Sequence, residues 1–169
     1  IMKNSPDIEE IRKLPVFFVV GMGRSGTTLL RTILDAHRKT VVSRESKFVI
    51  HLKNKYANVY RWTPTLVESF IEDLYQDVKF KRYWEVQRGK LKEFIGQYPL
   101  ENLNFNLLCK MVYLNHASVF NKSEPMIIGD KNPVYSIFIS ELKEVFPDAK
   151  FIHIIRDYRD TIVSNRKYF

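Results

Sequence analysis

Cysteine is all but missing from this chain: Cys109 stands alone among 169 residues. That excludes an internal disulfide and any cysteine-built metal site. The thiol lies in an apolar helical pattern, which points to a buried structural side chain rather than a reactive one. Long apolar runs are missing too. None approaches the roughly 20 residues that cross a bilayer, so no membrane span is expected. Residues 1–6 lead into no apolar stretch before Leu14 and do not read as a secretory leader. A cytoplasmic location is the resulting expectation, although the Ile ahead of Met2 leaves room for a lost upstream segment. There are no internal repeats and no low-complexity linker. No RNA-binding aromatic motif, zinc-finger spacing or basic zipper is visible, so nucleic acid is not the expected partner. His51, His116 and His153 have no Asp, Glu or Cys at ligand spacing, and no metal is expected.

What is present describes a folded domain. Apolar residues make up 45% of the chain and charged residues 27%, a globular composition with enough length for a core. The net charge is +8, from 27 basic and 19 acidic residues. Such an excess concentrates anions near the surface. It is spread along the chain apart from the short cluster Lys79-Phe80-Lys81-Arg82.

The pattern alternates strands and helices. Residues 16–20 form an apolar run of the buried parallel-strand kind. Residues 27–37 read as a helix with Leu29, Leu30, Ile33 and Leu34 on one face, closed by His37. Residues 39–43 are a short second strand and 46–55 a helix. Residues 64–121 look helical throughout, with Pro99 separating two helices. Leu66, Phe70 and Leu74, and likewise Leu103, Leu107, Met111 and Leu114, fall at helical spacing and predict core stripes. Strands follow at 126–129 and 151–155, with a helix over 135–145 between them and another from about Arg159. This order predicts an α/β fold: a P-loop-like, three-layer arrangement with a central parallel sheet flanked by helices and a helical insert at about 56–122. One domain over 1–169 is expected, incomplete at its C-terminus.

In such sheets ligands bind at the carboxyl ends of the strands. Three polar clusters lie there: residues 21–28, 129–132 and 156–164. The first is the most informative. Gly21-Met22-Gly23-Arg24-Ser25-Gly26-Thr27-Thr28 joins a buried strand to a helix, and such a turn aims amide groups and a helix dipole at an anion. It admits several readings. Gly21, Gly23 and Gly26 match the dinucleotide fingerprint, with Glu45 about 20 residues on as the ribose acid, which would suit an oxidoreductase. Against this, an arginine and two threonines crowd the turn. A Walker A loop is nearly matched, but Thr27-Thr28 stands where the Lys-Ser/Thr pair belongs, and Asp130 is the nearest candidate for a Walker B acid. A non-catalytic nucleotide-binding fragment also stays open.

A further reading accounts for the departures. Arg24-Ser25-Gly26-Thr27-Thr28 resembles the 5′-phosphosulfate loop of the sulfotransferases that use 3′-phosphoadenosine 5′-phosphosulfate (PAPS). Phe151-Ile152-His153-Ile154-Ile155-Arg156, followed by Ser164 eight residues after the arginine, resembles the 3′-phosphate motif of that family. A guanidinium forks onto phosphate and the hydroxyl adds a donor. Gly129-Asp130-Lys131-Asn132-Pro133 resembles the branch that includes tyrosylprotein sulfotransferases and bacterial relatives, as does Leu34-Asp35-Ala36-His37. The resemblance implies sulfuryl transfer from PAPS to an acceptor hydroxyl on a small molecule, glycan or peptide, leaving 3′,5′-adenosine bisphosphate. It implies Glu45 in Ser43-Arg44-Glu45 as general base, although the branch more commonly has Gly-Glu-Glu there. It implies Arg24 and Lys131 at the transferring group. Arg24, Ser25, Gly26, Thr27, Thr28, Arg156 and Ser164 would bind the nucleotide, without a metal. In the family such an insert often shapes the acceptor pocket. A homodimer is left open.

Overall fold

The computed structural model describes residues 6–116, 118, 120 and 125–166, with the last two as backbone only. The expected limits of the insert at 122 and of the domain at 1 and 169 lie outside the described residues.

Four strands form one parallel sheet: β1 (Val16–Gly21), β2 (Thr40–Ser43), β3 (Ile127–Lys131) and β4 (Lys150–Ile154), in the order β2-β3-β1-β4. Parallel neighbours require crossovers, and helices supply them. After α1 (Ile8–Lys13), α2 (Thr27–Ala36) links β1 to β2. A long helical excursion returns from β2 to β3. It comprises α3 (Phe48–Tyr56), α4 (Pro64–Leu74), α5 (Val78–Tyr83), α6 (Arg88–Ile95) and α7 (Phe105–Leu114). Then α8 (Ile139–Val145) links β3 to β4, and α9 (Tyr158–Arg166) follows. The expected α/β architecture is therefore present.

Strand pleating sends alternate residues to opposite faces. Val16, Phe18 and Val20 join the main core with Val41 and Ile128, under α3, α7 and α8. The Phe18 ring packs with Tyr135, Phe146 and Phe151. Val19 and Val42 are buried but lie outside that cluster, on the side where α2 packs. The two stripes of the insert are largely interior: Phe70, Leu74, Leu103, Leu107 and Met111 are buried, and Leu66 and Leu114 pack against them. Cys109 is buried as expected, and burial pushes its thiol well above the ordinary range.

Several local expectations needed correction. The helix α1 precedes the first expected element, and Asp7 and Glu10 form a capping box at its start. Strand β3 runs two residues further than expected, through Asp130 to Lys131. The stretch 135–145 is not one helix: a 3-10 turn (Pro133–Ile137) precedes α8, and Phe138 between them has φ −122°. The largest difference concerns α2. Its apolar residues Leu29 and Ile33 are 67% and 60% exposed, while Thr27, Arg31 and Asp35 are buried. The reason is the free edge of β2. Arg31 Nε donates to the Val42 carbonyl at 3.1 Å, and the Val42 amide donates to Asp35 at 2.9 Å. Arg31 and Asp35 pair at 3.1 Å. The two side chains do for the edge what another strand would do.

Gly21 ends β1 with φ +150°, and a Cβ there would lie 2.5 Å from the backbone carbonyl oxygen of Ile154. Backbone cannot swing aside as a side-chain end can. Gly21→Ala is therefore expected to lower stability by about 1–3 kcal/mol, read as a lower denaturant midpoint. An unchanged midpoint would show that β4 yields there.

Candidate functional site

The loop after β1 is shaped by its glycines and by one strained residue. Arg24 is in the left-handed region at φ +68°, and Gly26 at φ +98° precedes α2. A non-glycine residue held there marks a position that its surroundings over-determine. Gly26 has no side chain with which to cap the helix, so the first-turn amides of α2 remain available to an anion. The Ser25 hydroxyl donates to the Met22 carbonyl at 2.6 Å and braces the loop from within. Ser25 and Thr27 are buried, whereas Gly26 and Thr28 are exposed.

The residues singled out in the sequence converge on this loop from two sides. On one side, Arg24 Nε donates to Ser164 Oγ at 3.1 Å, and Arg156 donates to the Arg24 carbonyl at 3.3 Å. Arg156 also lies 3.5 Å from Asp160 one helical turn on. On the other side, Lys131 Nζ donates to Thr28 Oγ1 at 3.1 Å and to Glu45 Oε1 at 2.6 Å. Lys131 is almost fully buried and Glu45 about one-third exposed. Residues 140 positions apart in the chain thus meet across the carboxyl ends of β1, β3 and β4.

Glu45 has a second cation that sequence reasoning missed. Lys79 Nζ, from α5 in the insert, donates to Glu45 Oε2 at 2.9 Å. In the sequence Lys79 is only one member of a basic cluster, and nothing in its spacing points to Glu45. Burial alone would raise the Glu45 carboxyl. The hydrogen bonds and charges of Lys131 and Lys79 outweigh it and hold the group below the ordinary glutamate value.

The Glu45 loop is tied down at several points. Trp84 Nε1 donates to the Arg44 carbonyl at 2.9 Å. Asn132 Nδ2 and the Tyr135 hydroxyl both donate to the Ser46 carbonyl, at 3.0 and 2.8 Å. The Phe48 amide donates to Ser46 Oγ at 3.1 Å. Beside Lys131, Asp130 is fully buried and accepts the Tyr113 hydroxyl at 2.6 Å. Burial pushes its carboxyl up to about 7, against the pull of Tyr113, Ser43, Lys131 and Tyr135. It serves α7 and not the loop after β1, so a Walker B role does not fit it.

The sheet order bears on the dinucleotide reading. That fold places the strand after its glycine loop directly beside the first strand. Here β3 and β4 flank β1, and β2 is one strand further out. Glu45 follows β2 and is committed to two lysines. Among the described residues there is no group of three or more His, Cys, Asp or Glu side chains placed to hold a metal, and no helix long and apolar enough to cross a membrane.

The model of the Sulfotransferase family matches residues 15–169. The chain belongs to that family. Its sulfotransferase relatives include the protein-tyrosine sulfotransferase of Drosophila melanogaster, 26% identical over 156 residues. That match covers 90% of this chain and 25% of the fly protein. Protein-tyrosine sulfotransferase 1 of Danio rerio is 26% identical, over 90% of this chain and 36% of its own length. Protein-tyrosine sulfotransferase A of Caenorhabditis elegans is 28% identical, over 90% of this chain and 33% of its own length. The chain therefore spans about a quarter to a third of the length of these relatives. A solved sulfotransferase structure, STF9 from Mycobacterium avium, is 18% identical with a TM-score of 0.40. It covers 90% of this chain and 46% of its own.

Proposed function

We propose that this chain, as a single domain with a helical insert, binds PAPS and moves its sulfuryl group to an acceptor hydroxyl. The observation that carries the reading is the position of Lys131. Its ammonium joins the phosphate-type loop, at Thr28, to the carboxylate of Glu45. When bound, PAPS supplies a sulfuryl group already attached to a phosphate leaving group. The residues present suit such a ligand: uncapped amides at the start of α2, cations on both sides of the loop, and no bulk at Gly26.

Each side chain then has a role. The Thr27 and Thr28 amides and the Thr28 hydroxyl hold the 5′ end. Arg24 and Lys131 stabilise charge on the transferring group and the departing phosphate. Arg156 and Ser164 hold the 3′-phosphate, the guanidinium by paired hydrogen bonds. Ser25 keeps the loop in shape. Glu45 accepts the proton of the attacking hydroxyl. The acceptor is a small molecule, glycan or peptide that presents that hydroxyl.

The test is a titration of 3′,5′-adenosine bisphosphate against AMP and NAD. The bisphosphate is expected to bind more tightly than either. Arg156→Ala should reduce that preference by about 10- to 100-fold, the scale of one to two charge-assisted hydrogen bonds. Equal binding of AMP to the wild-type protein would overturn the reading, and preference for NAD would revive the dinucleotide alternative.

A further inference from the structure

Helix α5 lies along the Glu45 loop and is fastened to it at both ends. At its start, Asp77 caps α5 through the Phe80 amide at 2.8 Å and also accepts the Lys47 amide at 3.3 Å. At its end, Trp84 donates to the Arg44 carbonyl at 2.9 Å. Between these two attachments Lys79 reaches Glu45 Oε2. An isolated surface ion pair contributes little, because two long side chains must be ordered to make it. Here both backbones are already held. Trp84 is fully buried in a ring cluster with Phe48, Phe80 and Tyr113, and Phe48 opens α3 directly after the Glu45 loop. The lysine is therefore presented to the carboxylate by a fixed frame.

We propose that Lys79 is a positioning residue for Glu45, through which the insert sets the orientation and protonation of the base. The inference rests on the sulfotransferase reading above. Lys131 and Lys79 each take one carboxylate oxygen. Each oxygen keeps a further acceptor site, so the plane is fixed without closing off the acceptor hydroxyl. When that hydroxyl attacks, its oxygen bonds to sulfur and the bond from sulfur to the phosphate oxygen breaks. The proton passes to Glu45, and the negative charge leaves on the phosphate beside Lys131. Without Lys79, Glu45 keeps one cation and is free to rotate about it.

The charged groups around Glu45 are Lys131 from β3, Lys79 from α5, and Arg44 and Lys47 on its own loop. Asp77 beyond them is paired with His51 at 3.1 Å. Lys79 is among the groups that hold the Glu45 carboxyl low, so its removal moves that carboxyl upward. A base works only when deprotonated. The acid limb of the pH–rate profile therefore moves to higher pH in Lys79→Met and returns in Lys79→Arg.

The experiment measures sulfate transfer from PAPS to a panel of para-nitrophenol, a tyrosine peptide, a serine peptide and glucosamine. It compares the wild-type protein, Lys79→Met and Lys79→Arg across pH. Lys79 is 52% exposed in its side chain, so neither change disturbs the core. The expected result for Lys79→Met is a kcat loss of about 10- to 100-fold, the scale of a misplaced reacting group. PAPS KM should be unchanged, the acid limb raised, and both effects reversed by Lys79→Arg. Wild-type kcat and an unmoved acid limb in Lys79→Met overturn the inference and leave the sulfotransferase reading standing. A wild-type protein that fails to bind the bisphosphate, or transfers sulfate to nothing in the panel, overturns the reading and the inference together.

Discussion

Glu45→Gln is expected to reduce sulfate transfer by about 10²–10⁴-fold, the usual contribution of a positioned general base, while the bisphosphate binds as before. Glutamine has the shape of glutamate and keeps an oxygen able to accept from Lys131, although its amide nitrogen cannot accept from Lys79 as the second carboxylate oxygen does. It cannot take a proton. Water then has to do so, without the carboxylate's charge or placement. The predicted pH dependence follows from the two lysines. Since they hold the Glu45 carboxyl below its ordinary range, the wild-type protein should keep its activity down to lower pH than an unpaired glutamate allows. The same sign governs stability. A carboxyl lowered in the folded state contributes stability above its unfolded value, and this is lost as pH falls through the folded value. The decisive measurement pairs kcat with calorimetric binding of the bisphosphate. A glutamine variant that transfers sulfate at the wild-type rate removes Glu45 from the chemistry.

The parts of the molecule most legible in the sequence are those where local rules and tertiary demands agree. A continuous apolar run must be buried on both faces, and β1 is. Polar residues that follow the strands of a parallel sheet gather at the carboxyl ends, and Arg24, Lys131 and Arg156 do, joined there by Ser164 from α9. Helix α2 shows where the rules part. Leu29, Leu30, Ile33 and Leu34 have the period of a core-facing stripe, yet the open hydrogen-bonding edge of β2 recruits Arg31 and Asp35 to the interior instead. Periodicity counts apolar surface. It cannot register an unpaired backbone amide on another strand. Lys79 was illegible for a related reason: its partner is 34 residues away, and only the packing of α5 against the Glu45 loop brings them together. The sheet order was equally hidden, because strand length and spacing do not say that β3 inserts between β1 and β2.

Asp35→Ala is expected to cost about 3–5 kcal/mol of stability, the range for breaking a buried pair by removing one partner. Asp35 is fully buried and accepts hydrogen bonds from the Val42 amide at 2.9 Å, Arg31 Nη2 at 3.1 Å and Ser118 Oγ at 2.8 Å. Alanine leaves the Arg31 guanidinium, itself nearly buried, without this countercharge. Burial already lowers the Arg31 pKa and Asp35 opposes that. It also leaves the Val42 amide unmatched, and a buried unmade hydrogen bond costs about 1–3 kcal/mol. The two contributions can be separated. The double variant Arg31→Met with Asp35→Leu removes the charge problem but not the edge problem, so it should recover part of the loss. Denaturant midpoints of the three proteins decide the matter. Full recovery in the double variant would show that the edge of β2 needs no partner; a loss below about 1 kcal/mol in Asp35→Ala would place the pair among weak surface ion pairs. The consequence extends to the site, because Glu45 lies two residues beyond β2. A strand that loses its edge partners no longer fixes the start of the Glu45 loop, so sulfate transfer should fall in Asp35→Ala even at temperatures where the protein remains folded.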